Sequence, residues 1–236
     1  MHRFSFLLLA LAAGAAEWTS KPFPDWSQDT VLRLLTGSPW SKGSSVNIEW
    51  TKREVRPITY KDIPGADHNP AKDSGLGPLG GIGAPKPKLP VKADLLIRFP
   101  NALPLRHAKA LYRLRDEKLP ADRLNSLIDT PASSSAAYVV EIFGVPSEVA
   151  HQGAGSIESL IQRSAYLRTK FGRKYQPSRV EVTIQSTTLK ILVYFPSEEP
   201  LKVADEEIEF FADVQLFRCK ERFKLSAMTY LGRLEL

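Results

Sequence analysis

One stretch of the sequence combines basic residues with tyrosines at a spacing that could bind an anion. A helix predicted to begin at Ser156 and to end near Phe171 places the first of these residues on its polar side. Basic side chains mixed with tyrosines can contact phosphates and stack on bases. The same composition is typical of an ordinary solvated helix face, so both interpretations stay open. The candidate anion-binding face consists of Arg163, Tyr166, Lys170, Arg173, Lys174 and Arg179.

The histidines show no spacing typical of a metal or catalytic site. Beyond residue 16 they are His68, His107 and His151, and none has a His or Cys partner at i+2, i+3 or i+4. Neither a Gly-x-Ser-x-Gly elbow nor a cysteine–histidine signature occurs. The sequence therefore predicts no metal and no cofactor, and it identifies no catalytic residue. A triad of distant residues stays open, with Asp67–His68 and His107 as candidates, because triads are recognised by geometry.

The chain has a single cysteine, Cys219, in a predicted strand. It shares a strand face with Phe217 and Phe223, which predicts a buried thiol. The alternative is an intermolecular disulfide or a reactive thiol. One cysteine cannot form an internal disulfide, so the fold must be held by packing.

The N-terminus has the three parts of a secretory signal peptide. Arg3 is followed by an apolar run from Phe4 to Ala13 and by small-x-small cleavage sites. The run is shorter than the about 20 residues that span a bilayer. A buried N-terminal helix is the alternative. The sequence predicts cleavage near Ala15 or Ala16 and an exported, soluble protein, periplasmic or extracellular, without a transmembrane segment in the mature chain.

Composition divides the chain of 236 residues, with a formal net charge of +6 at pH 7, into four segments. Residues 1–16 are the predicted signal peptide, 17–56 an N-terminal helix and strand, 57–92 a Pro/Gly-rich flexible loop, and 93–236 an α+β core domain that packs with 17–56. Segment 57–92 has too few apolar side chains to offset the entropy of ordering. The basic balance favours anionic partners such as nucleic acid, phospholipid head groups or acidic polysaccharide, without choosing among them.

Patterns of capping and alternation predict the elements of the first half of the chain. Ser27 is a good N-cap for a short helix, which Trp26 and Trp40 flank as anchors. Further predicted elements are a strand from Ser45 to Val55, a strand from Asp94 to Phe99, a helix after Pro104, one or two helical turns between Pro120 and Asp129, and a central strand from Ala137 to Val145.

Alternating apolar residues make the last third of the chain β-rich. One predicted hairpin pairs Val180–Ile184 with Leu189–Phe195, and a second pairs Ile208–Phe211 with Gln215–Leu225 and turns near Ala212–Asp213. Helices earlier in the chain and hairpins grouped at its end predict an α+β fold. We expect a mainly antiparallel sheet with a few helices packed on it and a C-terminal third built of β-hairpins.

Both ends of the chain carry motifs of aromatic and apolar residues. The first reads Lys-Pro-Phe-x-x-Trp-Ser from Lys21 to Ser27 and continues to Ser-Pro-Trp at 38–40. The second reads Phe-Lys-Leu-x-x-Met-x-Tyr-x-Gly-Arg-Leu-Glu-Leu from Phe223 to Leu236. These motifs resemble a family of uncharacterised exported proteins abundant in acidobacterial genomes. The resemblance implies export and a bacterial envelope setting, and it implies no catalytic residue.

Three hypotheses for the function follow from these patterns. The first is a non-catalytic binding or scaffold module of the bacterial envelope or exterior, whose partner is an anionic envelope component or another exported protein. The second is an exported hydrolase with an unrecognised site. The third is a binder of an anionic polymer through the basic helix, which predicts affinity that falls steeply with salt.

Overall fold

The computed structural model of the chain describes residues 17–50, 90–128, 137–152 and 154–236. The predicted signal peptide, the Asp67–His68 pair and segment 57–92 up to residue 89 lie outside these ranges. The α-helices are α1 (Glu17–Ser20), α2 (Gln28–Thr36), α3 (Leu103–Asp116) and α4 (Ala154–Ser164). The strands are β1 (Ser41–Asn47), β2 (Lys92–Arg98), β3 (Ala137–Pro146), β4 (Tyr166–Thr169), β5 (Lys174–Tyr175), β6 (Arg179–Gln185), β7 (Thr188–Pro196), β8 (Glu207–Asp213), β9 (Arg218–Lys224), β10 (Thr229–Tyr230) and β11 (Arg233–Leu234).

Five strands form an antiparallel sheet in the order β1-β2-β3-β7-β6. Strand β3 lies at its centre, as its long apolar run predicts. A β-bulge at Gly144 shifts the pairing of β3 with β7. Glycine is required there because its φ is +90° and a Cβ would lie 2.5 Å from the carbonyl oxygen of Asp94.

A second antiparallel sheet has four strands in the order β5-β4-β8-β9, and β10 and β11 form a separate pair. The hairpins β6–β7, β8–β9 and β10–β11 follow one another along the C-terminal part of the chain. The predicted α+β class, with mainly antiparallel sheet and a C-terminal third of hairpins, is therefore confirmed.

The inner faces of the two sheets pack against each other. Phe99, directly after β2, contacts Phe223 of β9, and Phe195 of β7 contacts Phe210 of β8, with ring centroids 5.0 and 6.2 Å apart. All four rings are fully buried. Helix α4 packs against β6 and β8, one strand from each sheet. Because the inner faces hold the apolar core, most charged residues of these strands are left on the two outer faces.

Helix α2 docks at the edge of this core as its flanking residues predict. The Ser27 side chain accepts a hydrogen bond from the backbone N–H of Thr30, as an N-cap does. Trp26 and Trp40 are buried on either side of the helix. The indole of Trp26 donates to the carbonyl of Lys21, and that of Trp40 donates to the carbonyl of Glu235. The predicted helix and its two anchors are confirmed.

The prediction for Cys219 is also confirmed. The residue lies on the inner side of β9 and is 1% exposed, with Phe217 and Phe223 buried on the same side. Burial raises the pKa of the Cys219 thiol to about 12, so the group stays protonated and unreactive.

The predicted helix from Ser156 to Phe171 is wrong at both ends. Helix α4 begins at Ala154 and ends at Ser164, and the chain continues as β4 from Tyr166. Leu167 and Thr169 are buried and pair with β8 beside exposed Arg168, which is strand alternation. Pairing with β8 satisfies backbone groups that a longer helix would have satisfied internally, and it buries both side chains.

Two further predicted boundaries are displaced. Strand β1 begins at Ser41, four residues before the predicted start, because Ser41 pairs with Arg98 at the far end of β2. The second hairpin turns at residues 214–217 and not near Ala212–Asp213, since Asp213 still pairs with Arg218. The later turn sets which side chains of β8 and β9 lie opposite each other.

Among the helices in the described ranges, none has the length and apolar character that crossing a membrane requires.

Candidate functional site

The outer face of the four-stranded sheet carries charged side chains on every strand. Alternation puts the apolar residues of β8 and β9 in the core and leaves the residues between them facing outward. Six of the outward side chains are cationic and three are anionic, a formal excess of three positive charges. We call this surface the charged face; it consists of Tyr166, Arg168, Lys174, Glu207, Glu209, Phe211, Asp213, Arg218, Lys220, Arg222 and Lys224.

Glu209 lies at the centre of the charged face. Its carboxylate accepts from the guanidinium of Arg168 at 2.7 Å and from the Tyr166 hydroxyl at 3.3 Å through Oε1. Oε2 lies 3.1 Å from Lys220 Nζ and 3.1 Å from Arg222 Nε. The Glu209 side chain is 6% exposed, whereas the three cations are 46–60% exposed. The carboxylate thus holds three cations in fixed positions while each keeps a side open to solvent.

The electrostatics of this cluster follow from the number of cations. Burial of the Glu209 carboxyl raises its pKa, but the contacts from Lys220, Arg222 and Arg168 outweigh burial, so the pKa lies below its usual value. The carboxylate is therefore ionised at neutral pH. Glu207 Oε1 also lies 3.7 Å from Arg222 Nε, so two negative charges stand among three positive ones and the cluster retains one positive charge in excess.

An aromatic pair lies beside the cations. The rings of Tyr166 and Phe211 stack with centroids 5.1 Å apart and an interplanar angle of 19°. Arg168 lies 5.4 Å and Lys174 lies 4.5 Å from the Tyr166 centroid, within the range of cation–π attraction. The Tyr166 ring therefore contacts Lys174 of β5 as well as Arg168, which Glu209 also holds.

Two hollows adjoin the charged face. A groove of about 710 Å³ is lined by Arg168, Glu209 and Arg222, with Lys170 and Glu206 at its rim. The last two form an ion pair at 2.5 Å. A second hollow of about 520 Å³ shares Arg222 and Lys224 and extends past the β9 edge to Lys42 and Trp18. An extended ligand could therefore continue from the sheet face onto the surface near β1.

The structure brings part of the predicted anion-binding face together. Tyr166 and Lys174 belong to the charged face, and Lys170 lies at the rim of its groove. Arg163, on the last turn of α4, lines a separate hollow beside Phe211. These four residues lie around one sheet, although only Arg163 is on the observed helix α4.

The other two predicted residues point to other partners. Arg173 contacts Asp205 at 2.6 Å and lies over the ring of Tyr175. Arg179 starts β6 in the other sheet, 4.0 Å from the Tyr194 ring centroid and 3.3 Å from Glu181. Because both guanidinium groups are matched by carboxylates, they add nothing to the excess charge of the charged face.

Sequence reasoning missed the basic strand β9. Arg218, Lys220, Arg222 and Lys224 occupy every outward position of this strand. The signal was present, because a strand that buries Cys219 must direct the residues on either side of it outward. The alternation of basic and buried residues therefore predicts this row once the strand is recognised.

His107 lies in an aromatic cluster of the core. Its ring stacks on Phe23 at 3.9 Å, and its Nδ1 lies 3.5 Å from the hydroxyl of Tyr230. Burial, followed by the charge of Arg106, lowers the pKa of His107 to about 4, so the imidazole is neutral at pH 7. Within the described ranges no carboxylate hydrogen-bonds this ring, so no His–carboxylate pair is formed there. A hydrolase using Asp67–His68 stays a prediction, since that pair is outside the described residues.

No group of three or more potential metal ligands occurs among the residues that the structure describes. His151 lies in a short 3-10 helix, Ser147–Gln152. Comparisons of the chain with protein-family models, with curated proteins and with solved structures find no match.

Proposed function

We propose that the protein is an exported, non-catalytic binding module that holds an anionic polymer on the charged face. The observation that carries the proposal is the row of four basic side chains on β9, joined by Arg168 and Lys174 across the sheet. Export rests on the predicted signal peptide. The proposal keeps the anionic polymer predicted from the sequence and moves its binding surface from a helix to a sheet.

Repulsion within the row supports a ligand role. Like charges close together on one sheet face destabilise the sheet, and one cation would be enough to neutralise Glu209. The positive charges left in excess on the charged face are therefore unfavourable for the free protein. An anion bound along the strand relieves this repulsion, which makes the charge excess useful for binding.

Spacing favours a polymer over a single compact ion. Alternate side chains on a strand are about 6.8 Å apart, so the four basic residues of β9 extend over about 20 Å. One phosphate or carboxylate cannot contact all of them. Anionic groups repeated along an extended chain can contact them in sequence, and the groove and hollow beside β9 lengthen the contact surface.

The surroundings of Tyr166 favour an acidic polysaccharide over a single-stranded nucleic acid. Binding of single strands combines cations with aromatic rings on which bases stack. The Tyr166 ring is already contacted by Phe211, Arg168 and Lys174. A polymer that is bound through its charges, as an acidic polysaccharide can be, needs no free ring.

Salt-dependent binding of sodium polygalacturonate, measured by calorimetry, tests the proposal. We expect affinity that falls as salt rises, weaker binding of single-stranded DNA, and no binding of neutral dextran. The double variant Lys220→Gln/Lys224→Gln should lower the slope of log affinity against log salt by about 1.4, as expected for two lost ionic contacts.

The matched control is Lys92→Gln/Lys118→Gln, which removes the same charge outside the charged face. Both residues are exposed, at the start of β2 and directly after α3. Equal effects of the two double variants would mean that net charge and not the charged face attracts the polymer, and the proposal would then be wrong. Tighter binding of the DNA would replace the polysaccharide with a nucleic acid.

A further inference from the structure

A second concave surface lies on the other sheet, away from the charged face. It is a cleft of about 260 Å³ between helix α3 and the outer face of the five-stranded sheet. Strands β2, β3 and β7 supply its floor, and the first turns of α3 supply a wall. Its volume is less than half that of the groove on the charged face, which favours a small ligand.

The floor of the cleft combines apolar side chains with one buried ion pair. Phe143 and Leu192 are half-buried on the outer face. Beside them Glu141 accepts from Arg98 Nε at 2.5 Å, and its side chain is 4% exposed. Since Arg98 matches the charge of Glu141, the pair contributes an almost neutral polar patch to an otherwise apolar floor.

Cations surround this floor. Lys190 lies on β7 next to Leu192 and opposite Phe143, and Arg106 and Lys109 line the cleft from α3. Within the described part of the chain, Lys190 makes no ion pair. Its ammonium group is therefore available to a negative charge that enters the cleft beside Phe143. Glu141 is the only acidic residue of the described lining, and it is already paired.

We propose that this cleft binds a small organic anion. A phosphate or carboxylate head contacts Lys190, and an apolar body lies on Phe143 and Leu192. An apolar floor with a few placed polar groups is the usual composition of a small-molecule site. The site is independent of the charged face, because it lies on the other sheet and shares no residue with it.

Titration of ¹⁵N-labelled full chain with phenyl phosphate, followed by NMR, tests the proposal. We expect saturable shifts of the backbone amides of Phe143, Lys190 and Leu192. Phenyl phosphate should bind more tightly than inorganic phosphate, which lacks the apolar body, and more tightly than benzyl alcohol, which lacks the charge. Benzoate in a parallel titration distinguishes a carboxylate from a phosphate head.

Two variants with the same loss of charge make the test specific. Lys190→Gln should weaken phenyl phosphate binding about tenfold, as expected for one lost charge-assisted hydrogen bond. Lys92→Gln removes a lysine from the same face of the same sheet, about 20 Å from Arg98 along β2, and should leave binding unchanged. Equal weakening by both variants, benzyl alcohol binding as tightly as phenyl phosphate, or shifts confined to β8 and β9 would each overturn the proposal.

Discussion

Two buried carboxylates, one on the outer face of each sheet, have opposite surroundings. Glu141 and Glu209 each lie opposite an arginine on the neighbouring strand, Arg98 and Arg168. Their side chains are 4% and 6% exposed. Among the described residues Glu141 has a single cationic partner, at 2.5 Å, whereas Glu209 contacts Lys220 and a second arginine in addition to Arg168. In both sites the glutamate is paired with an arginine across the sheet, and the sites differ in the number of cations.

The number of cations gives the two carboxylates different roles: Glu141 orients one arginine, whereas Glu209 supports a surface on which several cations stay exposed. At Glu141 one charge matches one charge, so the pair leaves nothing for a ligand and only orients Arg98 in the cleft. At Glu209 three half-exposed cations share one carboxylate. The carboxylate satisfies each of them in part and leaves a positive field above the sheet. Removing single members of each cluster should reveal the difference.

The largest expected effect is that of Arg98→Met. The substitution keeps the aliphatic length of the side chain and leaves the buried Glu141 carboxylate without its cation. Removing one partner of a buried ion pair leaves the other charge buried and unpaired. We therefore expect the free energy of unfolding to fall by about 3 kcal/mol. Urea denaturation at pH 7 measures this change. Arg98→Lys, which keeps the charge, should lose much less; equal losses would show that the charge of Arg98 is not what stabilises Glu141.

Glu209→Gln should lower the free energy of unfolding by less, about 2 kcal/mol at pH 7. The three cations that lose their carboxylate stay half-exposed to water. The pKa of Glu209 lies below its usual value in the folded chain. Its ionised form therefore stabilises the fold above the unfolded pKa, and this stabilisation is lost as the pH falls through the folded pKa. Urea denaturation across this range should show the wild-type advantage shrinking below about pH 4.

His107 has the same proton preference as Glu209, but at higher pH, and serves as an internal control. Its pKa is lowered to about 4, so the unfolded chain binds a proton between the ordinary value of 6.5 and about 4, and stability falls as the pH drops through this window. The loss is the same in wild type and in Glu209→Gln, and it cancels in their difference. A difference that is constant down to pH 3 would mean that the surrounding cations do not lower the pKa of Glu209 in the folded chain.

Part of the charged face could be predicted from the sequence, because it depends on local alternation. Burial of Cys219 and Phe223 fixes the outward direction of Lys220 and Arg222 within one strand. The partner of those residues could not be predicted in the same way. A turn near Ala212–Asp213 would place Glu209 opposite Leu216, whereas the turn at 214–217 places it opposite Arg222. A shift of three residues in the position of the turn therefore decides whether the Glu209 carboxylate lies opposite a cation.

The end of α4 shows a second limit. Ala165 and Leu167 fit the helical spacing that begins at Ile157, and Leu167 and Thr169 also fit strand alternation. Over so short a stretch the two periods select overlapping apolar positions, and only pairing with β8 decides between them. The cleft could not be predicted from the sequence either. Arg98, Glu141 and Lys190 lie near one another only because of the pairing registers of three strands that are distant in sequence.

The smallest expected effect, that of Lys220→Met, is also the most informative. Arg168 still contacts Oε1 of Glu209 and Arg222 still contacts Oε2, so the carboxylate keeps a cation on each oxygen. We expect a loss of only about 0.5 kcal/mol, the usual contribution of an exposed ion pair, in urea denaturation at pH 7. The same variant should weaken binding of polygalacturonate, because one positive charge of the row on β9 is gone. A loss as large as that of Arg98→Met would mean that all three cations are needed to hold Glu209. The charged face would then be a structural cluster like the pair at Glu141, with no positive charge in excess for a ligand.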